Sequence, residues 1–161
     1  MTGLGATWGP AAYDPIVPSY TFTTHVAAPI EVVFDLWTNL DRMREWVGGA
    51  TRVTDVSGPV DRVGTRYTTW FGRMKSPTEV IEAERPRLFA TRFGNAILRG
   101  TNRTILEPAG DGTRITQTFE TVGLISAISA RVFAAGSYRG SFQGELEAFA
   151  RLAEAEAASR S

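Results

Sequence analysis

The chain has 161 residues, 43% of them hydrophobic and 21% charged, which is enough for one domain with a buried core. Its 17 basic and 17 acidic side chains cancel, so no overall field attracts nucleic acid or an anionic membrane. Because cysteine is absent, disulfides, thiolate catalysis and cysteine zinc sites are excluded.

Residues 1–18 are predicted to form an arm outside the fold. Three prolines at this density prevent regular structure, whereas Trp8 and Tyr13 are aromatic residues that disordered tails usually lack. The arm lacks the basic stretch and apolar core of a signal peptide, and no apolar run elsewhere approaches the roughly 18 residues of a membrane helix. We therefore expect a cytoplasmic protein without membrane insertion, whose single domain spans 19–161.

The next residues predict a strand followed by two short helices. Apolar and polar residues alternate over 20–26, which is typical of a strand with one buried face. Pro29 suits the first turn of a helix. A second short helix is predicted to begin at Asn39 or Asp41, either of which can cap it, and to end at Gly48-Gly49.

Six more strands and a long helix complete the predicted order. The strands are expected at 51–56, 65–71, 78–84, 88–93, 101–107 and 113–121. Their short connections imply an antiparallel meander, because parallel neighbours need long crossovers, and Asp111-Gly112 predicts a hairpin between the last two. Helical periodicity then continues from about Leu124 to Ala157. The α+β sheet needs a cover for its apolar face, and only this helix is long enough.

Several segments carry a resemblance to a known superfamily. They are Ala28–Phe34 entering the first helix, Trp46–Ala50, Val63–Tyr67, the Glu79-Val80 strand leading to Pro86, Gly110–Arg114, and the helix from Phe142 to Leu152. Over residues 20–157 this ordered set resembles the START-like or SRPBCC superfamily, in its polyketide cyclase/dehydrase and lipid-transport branch. The resemblance implies a helix-grip fold, in which a curved sheet of about seven strands wraps the last helix and leaves a cavity between them.

The resemblance leaves three functions open. The leading hypothesis is binding or transport of an apolar or aromatic small molecule, such as a lipid, polyketide or isoprenoid-like compound, in that cavity. The second is an acid–base enzyme similar to a polyketide cyclase or dehydratase, and the third is a protein-interaction or co-chaperone module. A carrier needs only a cavity of suitable shape, whereas an enzyme needs an inward ionisable group with a shifted pKa.

The aromatic residues supply most candidates for ligand contact, because a helix-grip sheet has more concave surface than one helix fills. Tyr67, Tyr138 and Gln117 are the best polar groups, since buried hydroxyls and amides need partners. Arg92 would bind a ligand carboxylate or an enolate if it faces the cavity, but the convex face suits an arginine equally well. The predicted ligand-binding set is Trp37, Trp46, Tyr67, Phe71, Phe89, Arg92, Gln117, Phe119, Tyr138 and Phe142.

Three residues are candidates for acid–base chemistry, namely Glu79, Tyr67 and Arg103. An inward Glu79 would have its pKa raised by burial, although the pattern favours a cross-strand pair with an arginine. For Arg103 the choice between cavity and convex face is again open. His25 is the only histidine and is expected on the outward face of its strand, so no histidine triad or metal site is predicted, and no cofactor motif is present.

The last helix carries a glycine stripe, Gly136, Gly140 and Gly144, that recurs every four residues. Each glycine costs about 1 kcal/mol relative to alanine inside a helix, and the stripe lies opposite the predicted apolar face. Such a face lets another backbone approach closely. The hypothesis is that the arm 1–18 or a second protomer of a homodimer covers it, and the alternative is a solvated face without a partner.

Overall fold

The structure is a computed structural model that describes residues 19–95, 99–121 and 138–161, with the side chains of the last helix described from residue 142. Seven antiparallel strands form one sheet in the order β1-β7-β6-β5-β4-β3-β2. The strands are β1 Ser19–Val26, β2 Arg52–Thr54, β3 Arg66–Phe71, β4 Met74–Glu84, β5 Leu88–Gly94, β6 Arg99–Ala109 and β7 Gly112–Thr121. This confirms the predicted α+β meander, which β1 closes by pairing with β7.

Two short helices connect β1 to β2. Helix α1 spans Ile30–Trp37 and follows Pro29, which is extended with φ −60° and ψ 147°. The second predicted helix is a 3₁₀ helix, Leu40–Glu45, and its predicted end at Gly48-Gly49 is wrong. Asn39 precedes it without a side-chain capping bond. The helix ends at Glu45, and the next residue, Trp46, lies in the core with only 8% of it exposed.

The hairpin between β3 and β4 is longer than the sequence pattern indicated. Phe71 pairs with Met74, so Gly72 and Arg73 alone form the turn. Gly72 has a φ of +63°, which glycine adopts at no steric cost. Strand β4 therefore begins at Met74, four residues before the predicted start.

Two local features shape the centre of the sheet. The predicted hairpin between β6 and β7 is present, since Ala109 pairs with Gly112 across the turn, and Gly110 supplies the positive φ of +61°. In β4 the pairing with β5 shifts register between Val80 and Glu82. A bulge of this kind bends the strand and increases its twist, which helps the sheet to curve around the last helix.

Helix α2, Tyr138–Ser159, lies against β1 and α1 on the concave side of the sheet. Leu146, Phe149 and Ala153 are at most 1% exposed and pack in one cluster with α1 and with Leu106 and Ile115 of the sheet. The core is therefore concentrated where α1 and α2 meet β1, β6 and β7. None of the helices in the described residues is both long and apolar enough to cross a membrane. The arm 1–18 and the predicted start of the last helix, 124–137, lie outside the described residues.

Candidate ligand cavity

A cavity of about 460 Å³ lies between the concave face of the sheet and the helices. Its floor is made by β3 to β7, and its sides by the end of α1, the 3₁₀ helix with the loop that follows, and α2. Small-molecule sites in proteins are typically about 300–1,000 Å³. The cavity is therefore large enough for one molecule of drug-like size.

The floor of the cavity is a polar belt of hydroxyl and amide side chains. At least one such residue comes from each of five neighbouring strands: Tyr67, Thr69, Ser76, Thr78, Thr91, Asn102, Thr104 and Gln117. Some of these groups bond within the belt. The Gln117 amide donates to Asn102 Oδ1 at 3.0 Å, and the Thr78 hydroxyl donates to the Ser76 carbonyl at 3.2 Å. The belt thus offers a ligand several groups that both donate and accept hydrogen bonds.

Aromatic rings form the walls above this belt. Phe119 stacks on Phe93 with ring centroids 5.3 Å apart and contacts Phe142 of α2 at 5.0 Å. On the other side Trp37 and Trp46 stack at 4.6 Å. Aromatic rings offer large apolar area with little side-chain entropy to lose, so the walls suit a flat or aromatic ligand.

Glu145 is the carboxylate of the cavity wall. Its Oε1 accepts a hydrogen bond of 2.9 Å from the backbone N–H of Gly48, which lies 97 residues earlier in the chain. A Cβ at position 48 would be 3.1 Å from the same oxygen, so glycine permits this close approach. Burial raises the pKa of Glu145 to about 7, against the opposing effect of the Gly48 N–H. Near neutral pH the group is therefore available both as an acid and as a base.

Tyr67 of β3 supplies a second polar group of interest. Its side chain is 95% buried, and the residue lines the cavity. In the part of the chain that the structure describes, no group forms a hydrogen bond with the Tyr67 hydroxyl. Burial alone therefore raises the pKa of this residue. Within the described residues the hydroxyl is therefore available to donate or accept one hydrogen bond with a bound ligand.

Most of the predicted ligand-binding residues lie on the cavity wall. Eight of the ten line it: Trp37, Trp46, Tyr67, Phe71, Phe89, Gln117, Phe119 and Phe142. The side chain of Tyr138 lies outside the described residues. Arg92 is the exception, because Thr91 and Phe93 face the cavity and strand alternation then points Arg92 to the convex face.

The same alternation corrects two of the proposed catalytic residues. Glu79 lies between the inward Thr78 and Val80, so it faces outward, where it lies 3.7 Å from Arg66. Arg103 is also on the convex face and bonds Glu82 at 2.8 Å. Glu79 forms the cross-strand ion pair that the pattern favoured, and Arg103 takes the convex face, one of its two expected positions. Neither side chain reaches the cavity.

Two further expectations concern exposed positions. His25 is exposed on β1, as predicted, and its Nε2 lies 3.0 Å from the carbonyl oxygen of Ala109. On α2, Gly144 is exposed, and no atom lies within 4 Å of the position that a Cβ would take. Gly136 and the surroundings of Gly140 lie outside the described residues. A partner for the glycine stripe therefore stays a prediction.

These features define a helix-grip protein with a cavity between the sheet and the helices. The family model for polyketide cyclase / dehydrase and lipid transport matches residues 18–154, so the chain belongs to this family. A search of the curated proteins finds no match.

Solved structures agree with the fold. Protein MLL2253 from Mesorhizobium loti is 15% identical, with a TM-score of 0.67 over 84% of this chain and 96% of its own. Protein Ms6760 from Mycobacterium smegmatis is 17% identical, with a TM-score of 0.61 over 89% and 92%. DynU16, from the dynemicin biosynthetic locus, is 18% identical, with a TM-score of 0.64 over 86% of this chain and 48% of its own. At these identities the likeness shows the fold alone.

Proposed function

We propose that the protein binds an apolar or aromatic small molecule between the sheet and α2, and carries or presents it. The observation that supports this function best is the cavity of about 460 Å³, with its aromatic walls and polar belt. Membership of a family that includes lipid transport agrees with the proposal, and one structural neighbour comes from a biosynthetic locus.

The expected affinity comes mainly from apolar burial. Each Å² of apolar surface removed from water contributes about 25 cal/mol, before the costs of immobilising the ligand are subtracted. The polar belt adds orientation, because a ligand that leaves the buried hydroxyl and amide groups of the belt without hydrogen bonds loses binding free energy. A ligand with a flat apolar body and a few oxygen or nitrogen atoms fits both parts of the cavity.

Binding can be tested with the neutral fluorescent probe N-phenyl-1-naphthylamine, whose emission rises in apolar surroundings. The Thr91→Trp variant places a large ring inside the cavity and is expected to weaken probe binding by about tenfold or more. The Arg92→Trp variant places the same ring on the convex face of the same strand and should change the affinity by less than about twofold. Equal effects of the two variants would contradict binding in this cavity.

Native mass spectrometry of the protein purified from its host tests the same proposal without a chosen probe. An additional mass that disappears on denaturation would give the formula of the natural ligand. The Thr91→Trp variant should carry less of that mass than the Arg92→Trp control.

A second candidate function is acid–base catalysis, and one observation favours it. Glu145 faces the cavity with its pKa raised to about 7 by burial, and a general acid or base works best with a pKa near the operating pH. In such a step the carboxylate takes a proton from the carbon next to a ligand carbonyl. The enolate oxygen then accepts a hydrogen bond from a cavity hydroxyl, and the proton is returned to carbon or oxygen.

Exchange of the carbon-bound protons of 2-tetralone in deuterated water tests this candidate. The wild-type protein should accelerate the exchange, and Glu145→Gln should reduce that acceleration on the order of a hundredfold, as followed by proton NMR. Thr91→Trp should also reduce it, whereas Arg92→Trp should not. An exchange rate that Glu145→Gln leaves unchanged would reject Glu145 as the base and favour the carrier.

A further inference from the structure

The charge on the described wall of the cavity is negative only. Of the described residues that line it, Glu145 alone carries a charge, and all the others are aromatic, aliphatic, hydroxyl, amide, thioether or glycine residues. The arginines predicted for this region, Arg92 and Arg103, are on the other face of the sheet. Within the described part of the chain, therefore, no cation is present on the wall to neutralise an anionic ligand.

Glu145 itself has no cationic partner among these residues. Its hydrogen bond comes from the Gly48 backbone, and apart from that bond only burial shifts its pKa. The charged groups on the elements packed around α2 bond elsewhere or are exposed. Arg42 forms ion pairs with Glu45 and Glu156, and Asp35 forms one with Arg85. Glu154 accepts a hydrogen bond from the Ala27 N–H, and His25 lies at the Ala109 carbonyl. The exposed groups are Glu31, Asp41, Arg44 and Glu147. Among the described lining residues, Tyr67 is the other titratable group.

We propose that the cavity selects its ligand by charge: it takes an uncharged molecule that bears hydrogen-bonding oxygen atoms and rejects anions, and Glu145 sets this selectivity. The inference rests on the proposed binding function and narrows its ligand class. An anion that enters would lose its hydration without gaining a cation from the described part of the wall, and it would lie near the Glu145 carboxylate. Fatty-acid carboxylates, phosphates and sulfonates are thereby disfavoured, whereas ketones, alcohols, phenols and amides find partners in the polar belt.

A cationic amine is the other charge type to consider. A carboxylate that serves to bind a cation is normally held ionised by donors or cations around it. Glu145 accepts only the Gly48 N–H, and its surroundings favour the neutral acid. In the neutral form it donates a hydrogen bond to a carbonyl or hydroxyl oxygen, as a protonated carboxyl can. Below pH 7, where Glu145 is mostly protonated, the uncharged ligand is therefore the better match.

Three competitors with one naphthalene skeleton and different charges test the inference. 1-Naphthaleneacetamide is neutral, 1-naphthaleneacetate is an anion and 2-(1-naphthyl)ethylammonium is a cation. Each is titrated against protein filled with N-phenyl-1-naphthylamine, at pH 6 and pH 8, in the wild-type protein and in Glu145→Gln. At pH 8 the wild-type protein should require at least about tenfold more acetate than acetamide for half displacement. At pH 6, where Glu145 is mostly the neutral acid, the ammonium compound should displace the probe less well than the acetamide.

The role of Glu145 is read from the variant and from pH. In Glu145→Gln the acetate should bind about tenfold better than in the wild-type protein at pH 8, with the acetamide changed by less than about threefold. In the wild-type protein the disadvantage of the acetate should shrink from pH 8 to pH 6, because Glu145 becomes protonated below about 7. The pH comparison needs no substitution, so it stands even if the variant folds poorly.

The possible outcomes separate the two proposals. If the probe binds but the acetate matches the acetamide at pH 8, or the ammonium compound binds best at pH 6, the charge selectivity is wrong while binding stands. If the acetate is rejected equally in Glu145→Gln and at both pH values, Glu145 does not set the selectivity. If the probe itself does not bind, the proposed function fails, and the selectivity fails with it.

Discussion

The Glu145→Gln variant is expected to be more stable than the wild-type protein at pH 8 and equally stable near pH 4. Burial raises the pKa of Glu145 from 4.5 to about 7 in the folded protein, so the folded state holds this proton more tightly than the unfolded chain. Below pH 4.5 the carboxyl is protonated in both states. Between pH 4.5 and 7 the unfolded chain releases the proton first, which lowers the free energy of unfolding of the wild-type protein. Above pH 7 this free energy falls no further.

The size of the effect follows from the shift. One pKa unit is worth about 1.4 kcal/mol, so the change from 4.5 to about 7 predicts that the variant is about 3 kcal/mol more stable above pH 7. Glutamine keeps the carbonyl oxygen that accepts the Gly48 N–H and carries no charge at any pH. The difference in the free energy of unfolding between the variant and the wild-type protein should therefore grow as pH rises from 4 to 8.

Urea unfolding of both proteins at several pH values between 4 and 8 measures this difference in the free energy of unfolding. Glu147→Gln is the matched control, because it removes an exposed carboxylate two residues away on the same helix. Its effect should stay within about 0.5 kcal/mol at every pH. If the free energies of unfolding of Glu145→Gln and the wild-type protein differ by the same amount at pH 4 and pH 8, a buried carboxyl at this site is contradicted.

Much of the fold was predictable because its signals are local. The alternation over 20–26 and 113–121 gave β1 and β7 to within one residue at each end. The start of β4 was missed for a local reason as well. Pro77 has no N–H to donate to a neighbouring strand, yet the tight turn at Gly72 holds it in the ladder opposite Thr68.

The aromatic residues of the cavity were easier to predict than its charged ones. A ring such as Phe89 or Phe119 is buried whether it fills the core or borders a cavity, so its type already indicates an inward position. An arginine in a strand fits either face, and a shift of one residue exchanges the two faces. Only the position of Thr91 and Phe93 on the cavity wall decides that Arg92 points outward.

Glu145 was missed because a glutamate on a helix is usually solvated. Its partner, the Gly48 N–H, is 97 residues away, so no local pattern predicts the contact. One signal was nevertheless present. Glu145 lies three residues after Phe142 and four before Phe149, which places it on the apolar face of a helix with 3.6 residues per turn. A carboxylate within an apolar stripe is the pattern that indicates such a site.

Phe149→Ala is expected to be the most destabilising of the substitutions considered, at about 3–5 kcal/mol. The side chain is fully buried, and its ring contacts Trp37 and Trp46 edge-on at 4.8 and 5.0 Å. Alanine leaves a void behind the two tryptophans that form one wall of the cavity. Chemical unfolding should show the loss in stability, and the emission of the tryptophans should change because their surroundings lose a ring.

Phe142→Ala separates the stability of the core from the binding of a ligand. Phe142 lies two turns earlier on the same helix but only partly buried, and its ring faces Phe22 and Phe119 at the cavity. It should cost less stability than Phe149→Ala, because less apolar area is lost and the space opens into an existing cavity. For N-phenyl-1-naphthylamine the order should reverse in protein that is still folded, with Phe142→Ala weakening binding more. If Phe149→Ala weakened probe binding more than Phe142→Ala while both variants were folded, direct contact with the Phe142 ring would not determine the affinity. The packing behind Trp37 and Trp46 would then determine it.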